Sequence, residues 1–243
     1  MRHALLILLA LAALPLAACG GADDEPVVYA ASSLKGVLPG LPAADGVAFS
    51  FAGSDSLAEQ IRAGAPADAL VAASPREPDA LAADGLCAAP VAFATNTLAL
   101  IVPAAAAAVG SVDDLRRGGP WTLAVGAPSV PVGAYAREAL SALGADDALD
   151  RNAVSDEPDA AGVVAKVALG SADAGIAYAT DAAASDRVVA IPLPAGAQPA
   201  VHYAACAVIR DGAPSAAGAA FVAALLEPQA QDALAAAGFG RAP

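Results

Sequence analysis

The feature that most narrows what this chain can become is its rhythm. After residue 26, short apolar runs alternate with Ala-rich segments, and Gly, Ser or Pro punctuates the junctions. "VVYAAS" (27–32), "VAFSFAG" (47–53), "ADALVAAS" (67–74) and "WTLAVG" (121–126) read as strands. "SLAEQIRAG", "EPDALAADG", 112–117 and "PVGAYAREALSALGA" read as helices stopped by Gly64, Gly85, Gly118 and Gly144. A further helix, "DEPDAAGVVAKVALGS", places Pro158 in its first turn and stops at Gly170. A short helix is expected from Ser33. Strands and helices alternating at these lengths predict an α/β protein with mainly parallel sheets, covered on both faces. Two long apolar stretches, 93–103 and 201–209, bracket the second half of the pattern. They predict a second lobe (99–205) inserted into a first (27–98 and 206–243), with two crossings; one continuous sheet is the alternative.

The first residues lie outside this rhythm. Arg2 followed by the apolar run 4–18 reads as a secretory leader over 1–18. Leu16-Ala17-Ala18-Cys19 followed by two glycines resembles the lipobox of bacterial lipoproteins, in which Cys19 is acylated. Residues 19–26 then form a tether, and the protein is expected outside the cytoplasmic membrane, lipid-anchored to it. Without residues 1–18 the chain keeps 11 Lys and Arg against 25 Asp and Glu. That balance excludes nucleic acid as a partner, which needs clustered cations. Only Cys87 and Cys206 remain after Cys19. They could form one disulfide or stay as buried thiols. Two cysteines and His202 cannot make a zinc site of the usual kind.

Four junctions share one design, a strand end followed by a turn that opens a helix. They are Ser32-Ser33, Gly53 to Ser56, Pro128 to Gly133, and Asp156 to Ala160. The first turn of a helix exposes unpaired N–H groups and the positive end of its dipole. An anion there is stabilised without a formal cation, which reconciles an acidic chain with an anionic ligand. Taken singly, such a serine is an ordinary N-cap, and Ser56 with Glu59 has capping-box spacing.

The segments "VVYAASSLKGVL", "FAGSDSLAEQIRAGAPADALVAAS", "TNTLALIVP", "LAVGAPSVPVGAYAREALSALG" and "AGIAYATDA" resemble, in order, the signature segments of the molybdate-binding proteins of ABC importers. The resemblance implies the type II periplasmic-binding-protein fold, two α/β lobes joined by two crossing strands, with a tetrahedral oxyanion held between them. It implies donors from the hydroxyls of Ser33, Ser54 and Tyr178 and from the backbone amides of Ser33, Ser54, Val132 and Ala160. The Ala160 register follows from counting back from Tyr178, because "DEPDAAG" departs from the family's segment. Asp55 stands where a small polar residue is commoner. It either faces solvent or accepts a proton from an ion such as hydrogen phosphate. About seven charge-assisted hydrogen bonds at roughly 1.5–3 kcal/mol each, less desolvation and closure, leave roughly 8–12 kcal/mol, a micromolar to nanomolar affinity.

The expected protein is thus a monomeric, extracytoplasmic solute-binding lipoprotein. It has no cofactor, takes up molybdate and tungstate, and passes them to an ABC permease. Sulfate or phosphate is the alternative ligand. A serine hydrolase is a weaker alternative, because no GxSxG pattern occurs and His202 lies within an apolar strand. A purely structural or adhesive surface lipoprotein is another.

Overall fold

A computed structural model describes residues 25–105 and 107–242. The leader, Cys19 and most of the tether lie outside the described residues. The first sheet contains β1 (Val27–Ala31), β2 (Ala48–Ala52), β3 (Ala69–Ala72), β4 (Val91–Asn96), β10 (Val201–Ala207) and β13 (Gly240–Arg241), in the order β13-β4-β10-β3-β1-β2. The second contains β5 (Leu98–Pro103), β6 (Leu123–Gly126), β7 (Ala153–Glu157), β8 (Ala174–Tyr178) and β9 (Val188–Pro192), in the order β7-β6-β8-β5-β9. A small hairpin joins β11 (Ile209–Arg210) to β12 (Ala213–Pro214).

Helices follow the strands in each lobe. The first lobe carries α1 (Ser54–Arg62), α2 (Arg76–Ala83), α8 (Ala216–Ala224) and α9 (Pro228–Ala236). The second carries α3 (Asp113–Arg117), α4 (Pro131–Ala142), α5 (Ala148–Asn152), α6 (Ala160–Ala168) and α7 (Ala179–Ala183). In α1, Leu57, Ala58 and Ile61 recur at helical spacing and are buried against Tyr29, Leu70 and Cys206. Burying Leu57 and Ile61 contributes about 1.5–3 kcal/mol each, and that packing sets the helix onto the sheet.

The sheets are mixed, not mainly parallel. β1 pairs in parallel with β2 and β3, and β6 with β7 and β8. β10 runs against β3 and β4, and β5 runs against β8 and β9. The cause is connectivity. β1, β2, β3, β6, β7 and β8 end at the gap between the lobes, whereas β5 and β10 begin there, carrying chain that has just crossed.

The outgoing crossing is abrupt. The stretch 93–103 is two strands in different sheets, separated at Thr97. The return lies between Pro192 and Val201, and β10 sits wholly in the first sheet, so residues 201–205 pair there and not in the second lobe's sheet.

Other details differ from the pattern reading. The helix expected from Ser33 is a single 3-10 turn, Ser32–Leu34. The N-cap of α1 is Gly53, not Ser56, and Pro158 precedes α6, whose cap is Asp159. Strand β7 and helix α5 have no counterpart in that reading. Gly64, Gly85, Gly118, Gly144 and Gly170 all take positive φ at the expected stops. Cys87 and Cys206 are joined, with an S–S distance of 2.09 Å. The bridge ties β10 to the segment before β4, inside the first lobe.

Candidate functional site

Six strand ends meet at the interlobe gap, the place where open α/β sheets gather ligands. One small cavity there is lined from all six. Ala31, Ser32 and Ser33 follow or close β1, Ala52, Gly53 and Ser54 do so for β2, and Ala73 follows β3. From the other lobe come Val130, Pro131 and Val132 after β6, Asp159 and Ala160 after β7, and Tyr178 at the end of β8. All five residues singled out from the sequence, Ser33, Ser54, Val132, Ala160 and Tyr178, therefore line a single cavity. It leaves only about 10 Å³ for the centre of a water-sized sphere, roughly the room for one small compact species.

Apart from the Asp159 carboxylate, the polar groups in the wall are able to donate. Ser54 is 1% exposed, and its Oγ accepts from the Ala73 N–H at 3.1 Å, so its own proton is left for the cavity. Tyr178 is 1% exposed and its hydroxyl has no hydrogen-bond partner among the described residues. Burial first, then the neighbouring Tyr203 and Tyr135 and the acidic Asp181 and Glu77, raise its pKa well above the ordinary phenol value, so it stays protonated. A buried unpaired hydroxyl costs about 1–3 kcal/mol, a penalty that an acceptor in the cavity removes.

The backbone adds to this. At the start of α4, Pro131 has no N–H, and the Val130 carbonyl accepts from both Gly133 and Ala134 at 3.1 and 3.0 Å. Val132 is left with its N–H unpaired among the described residues. The turn can be this tight because Gly126 and Gly133 lack side chains: a Cβ on Gly133 would lie 2.0 Å from the Ala127 carbonyl oxygen. Arg137 braces the turn from behind, donating to the carbonyls of Gly126 and Gly133 at 2.8 and 2.9 Å. At α6, Asp159 Oδ1 accepts from the Gly162 N–H at 2.8 Å, and the amide of Ala160, in the first turn, is unpaired among the described residues. In α1 the Ser54 amide is likewise unpaired among the described residues, the first intrahelical bond running from Leu57 to Gly53.

Formal positive charge stays out of the cavity wall. None of its described lining residues is Lys or Arg. Asp55 lies outside the lining, and its Oδ1 accepts from the Ser56 N–H at 2.8 Å. The carboxylate that does line the cavity is Asp159, which sequence reasoning missed and which only its N-cap position could have signalled. In the helix after Tyr178, Asp181 Oδ2 is buried without a partner among the described residues, and desolvation, then Asp159, raise the Asp181 pKa to about 7. His202 does not line the cavity.

The lobes touch across the gap. Arg76 of α2, held by Glu77 at 2.7 Å, donates to the Ser129 carbonyl of the opposite lobe. A Cβ on Gly53 would lie 2.4 Å from the Pro158 carbonyl oxygen. Neither contact was legible beforehand, because each joins segments distant in sequence.

Residues 27–240 match the family model described as bacterial extracellular solute-binding protein. The molybdate-binding protein ModA of Escherichia coli is 34% identical over 253 aligned positions, which cover 96% of each chain. That of Mycobacterium tuberculosis is 35% identical over 200 residues, covering 78% of this chain and 74% of its own. The solved periplasmic molybdate-binding protein of Azotobacter vinelandii superposes with a TM-score of 0.76 at 23% identity, covering 88% of this chain and 98% of its own.

Proposed function

The chain belongs to the bacterial extracellular solute-binding protein family, and from that premise we propose that it captures molybdate, and also tungstate, for an ABC permease. The observation that carries this reading is the Tyr178 hydroxyl, buried, protonated and unpartnered in a cavity that also receives donors from Ser33, Ser54, Val132 and Ala160. Donors from two lobes converging on a space for one compact ion suit a tetrahedral, acceptor-only dianion. The names of the relatives favour molybdate among such ions.

Ser33, Ser54 and Tyr178 bind through hydroxyls, and Val132 and Ala160 through their amides. No bond in the ligand is made or broken. Binding draws the lobes together about the crossings at Thr97 and 193–200, and the closed monomer presents itself to the permease. Cys19, once acylated, holds the protein at the membrane surface. A Cys19→Ser variant released into the medium would support that anchor; a wild-type level of membrane association would refute it.

One observation favours a second reading. Asp159 places a carboxylate in the lining, and a carboxylate can accept the proton of hydrogen phosphate. Calorimetry with molybdate, tungstate, sulfate and phosphate separates the two. Submicromolar molybdate and tungstate binding with phosphate ignored supports the proposal. Tight phosphate binding that Asp159→Asn abolishes, with molybdate ignored, overturns it.

A further inference from the structure

Ser33 Oγ lies 3.0 Å from the hydroxyl of Tyr203, and on distance alone either could be the donor. The neighbours decide the direction. Asn96 ends β4, and its Oδ1 accepts from the Thr97 backbone N–H at 2.8 Å. A backbone N–H can only donate, so the amide orientation is set and Nδ2 must donate outward. It does so to Thr180 Oγ1 at 2.9 Å and to the Tyr203 hydroxyl oxygen at 3.2 Å.

Tyr203 is fully buried, and its ring is held edge-on by Phe93 and Phe239 at 6.1 and 5.4 Å between centroids. Burial raises its pKa, so it keeps its proton. With Asn96 donating to that oxygen, the one acceptor left for the phenol proton among the described residues is Ser33 Oγ. A buried O–H without an acceptor is costly, so the proton goes to Ser33. Ser33 must then turn its own proton away from Tyr203.

We propose that Asn96 and Tyr203 are positioning residues, a one-way relay that makes the Ser33 hydroxyl a donor into the cavity and so selects anions that only accept. The inference rests on the oxyanion reading above and deepens it. Left alone, a serine hydroxyl rotates and serves as donor or acceptor, and it tolerates a protonated ion. Here Tyr203 occupies its acceptor side, as the Ala73 amide does for Ser54. The two serines, on different turns, are polarised the same way by unrelated groups. At mildly alkaline pH phosphate is a dianion like molybdate but retains one proton, so the relay acts against it and not against molybdate.

The test is a double-mutant cycle of Tyr203→Phe and Ser33→Ala, read by calorimetry with molybdate and, separately, with phosphate at mildly alkaline pH. Tyr203→Phe keeps the ring and its packing. It should weaken molybdate binding about tenfold in the natural background and less than twofold beside Ser33→Ala. The preference for molybdate over phosphate should narrow by a similar factor. An equal loss in both backgrounds, or an unchanged preference, assigns Tyr203 to packing alone and overturns the relay. Failure of the unmodified protein to bind molybdate overturns the ligand reading as well, so the two failures are distinguishable. If Tyr203→Phe melts early, Asn96→Asp supplies the second arm. A carboxylate there takes the phenol proton, reverses the relay and should weaken molybdate binding at least as much; unchanged binding counts against the proposal.

Discussion

The most exposing perturbation of this cavity is a single methyl group at Gly53. Its backbone, φ −63° and ψ 139°, is open to any residue, so alanine introduces no backbone strain and slightly restricts the unfolded chain. The difficulty lies across the gap, where the new Cβ would sit 2.4 Å from the carbonyl oxygen of Pro158. An ordinary carbon–oxygen contact needs about 1 Å more. The neighbour is backbone leading directly into Asp159 and Ala160, so it cannot swing aside as a side chain would. The lobes must part by about that amount, and the donors of one lobe then fall out of hydrogen-bond range of an ion held by the other. Losing one charge-assisted bond costs about 1.5–3 kcal/mol, or roughly 10- to 150-fold in affinity. Calorimetry of Gly53→Ala should show that loss with molybdate, while the melting temperature without ligand stays within about 2 °C of the parent. Wild-type affinity in a well-folded Gly53→Ala protein would refute the idea that lobe contact at this point sets the cavity.

Three further outcomes follow from particular groups. Tyr178→Phe removes an unpaired buried hydroxyl, so the ligand-free protein should be as stable or up to about 1–3 kcal/mol more so. Molybdate affinity should nevertheless fall at least tenfold, and thermal denaturation with and without the ion reads both signs. Asp181 has its folded pKa raised to about 7 by burial and by Asp159. Its proton therefore stabilises the fold fully below the unfolded value near pH 4, and that stability is lost as pH rises through about 7. Between pH 5 and 7.5 the melting temperature should fall, and Asp181→Asn should flatten the slope. Asp68 and Asp114, whose pKa values are lowered, titrate below that window. Reducing the Cys87–Cys206 bridge, which spans 119 residues, should destabilise the first lobe by up to about 5 kcal/mol on the loop-entropy argument. The Cys87→Ser/Cys206→Ser protein should melt earlier yet bind molybdate with unchanged stoichiometry.

Sequence alone determined the alternation of strands and helices, the glycine stops and the turns at Ser33, Ser54 and Val132, because each depends on residues a few positions apart. Periodicity reports which face of a segment is buried, and glycine and proline act on their own backbone. The same local logic misplaced Ser56 as a cap, since a capping-box pattern cannot show that a strand end at Gly53 starts the helix sooner. It also missed β7, whose residues Ala153–Glu157 carry no apolar run.

What tertiary structure decided is everything that needs two distant segments at one point. The antiparallel pairing of β5 and β10 follows from where the chain crosses between lobes, not from their composition. Asp55 and Asp159 look alike in sequence, yet only Asp159 faces the cavity, because side-chain direction at a turn is fixed by the packing of the helix behind it. The polarity of Ser33 comes from Tyr203, 170 positions away, and from the amide of Asn96. A hydrogen bond's direction is set by its neighbours in space, and no spacing along the chain encodes them.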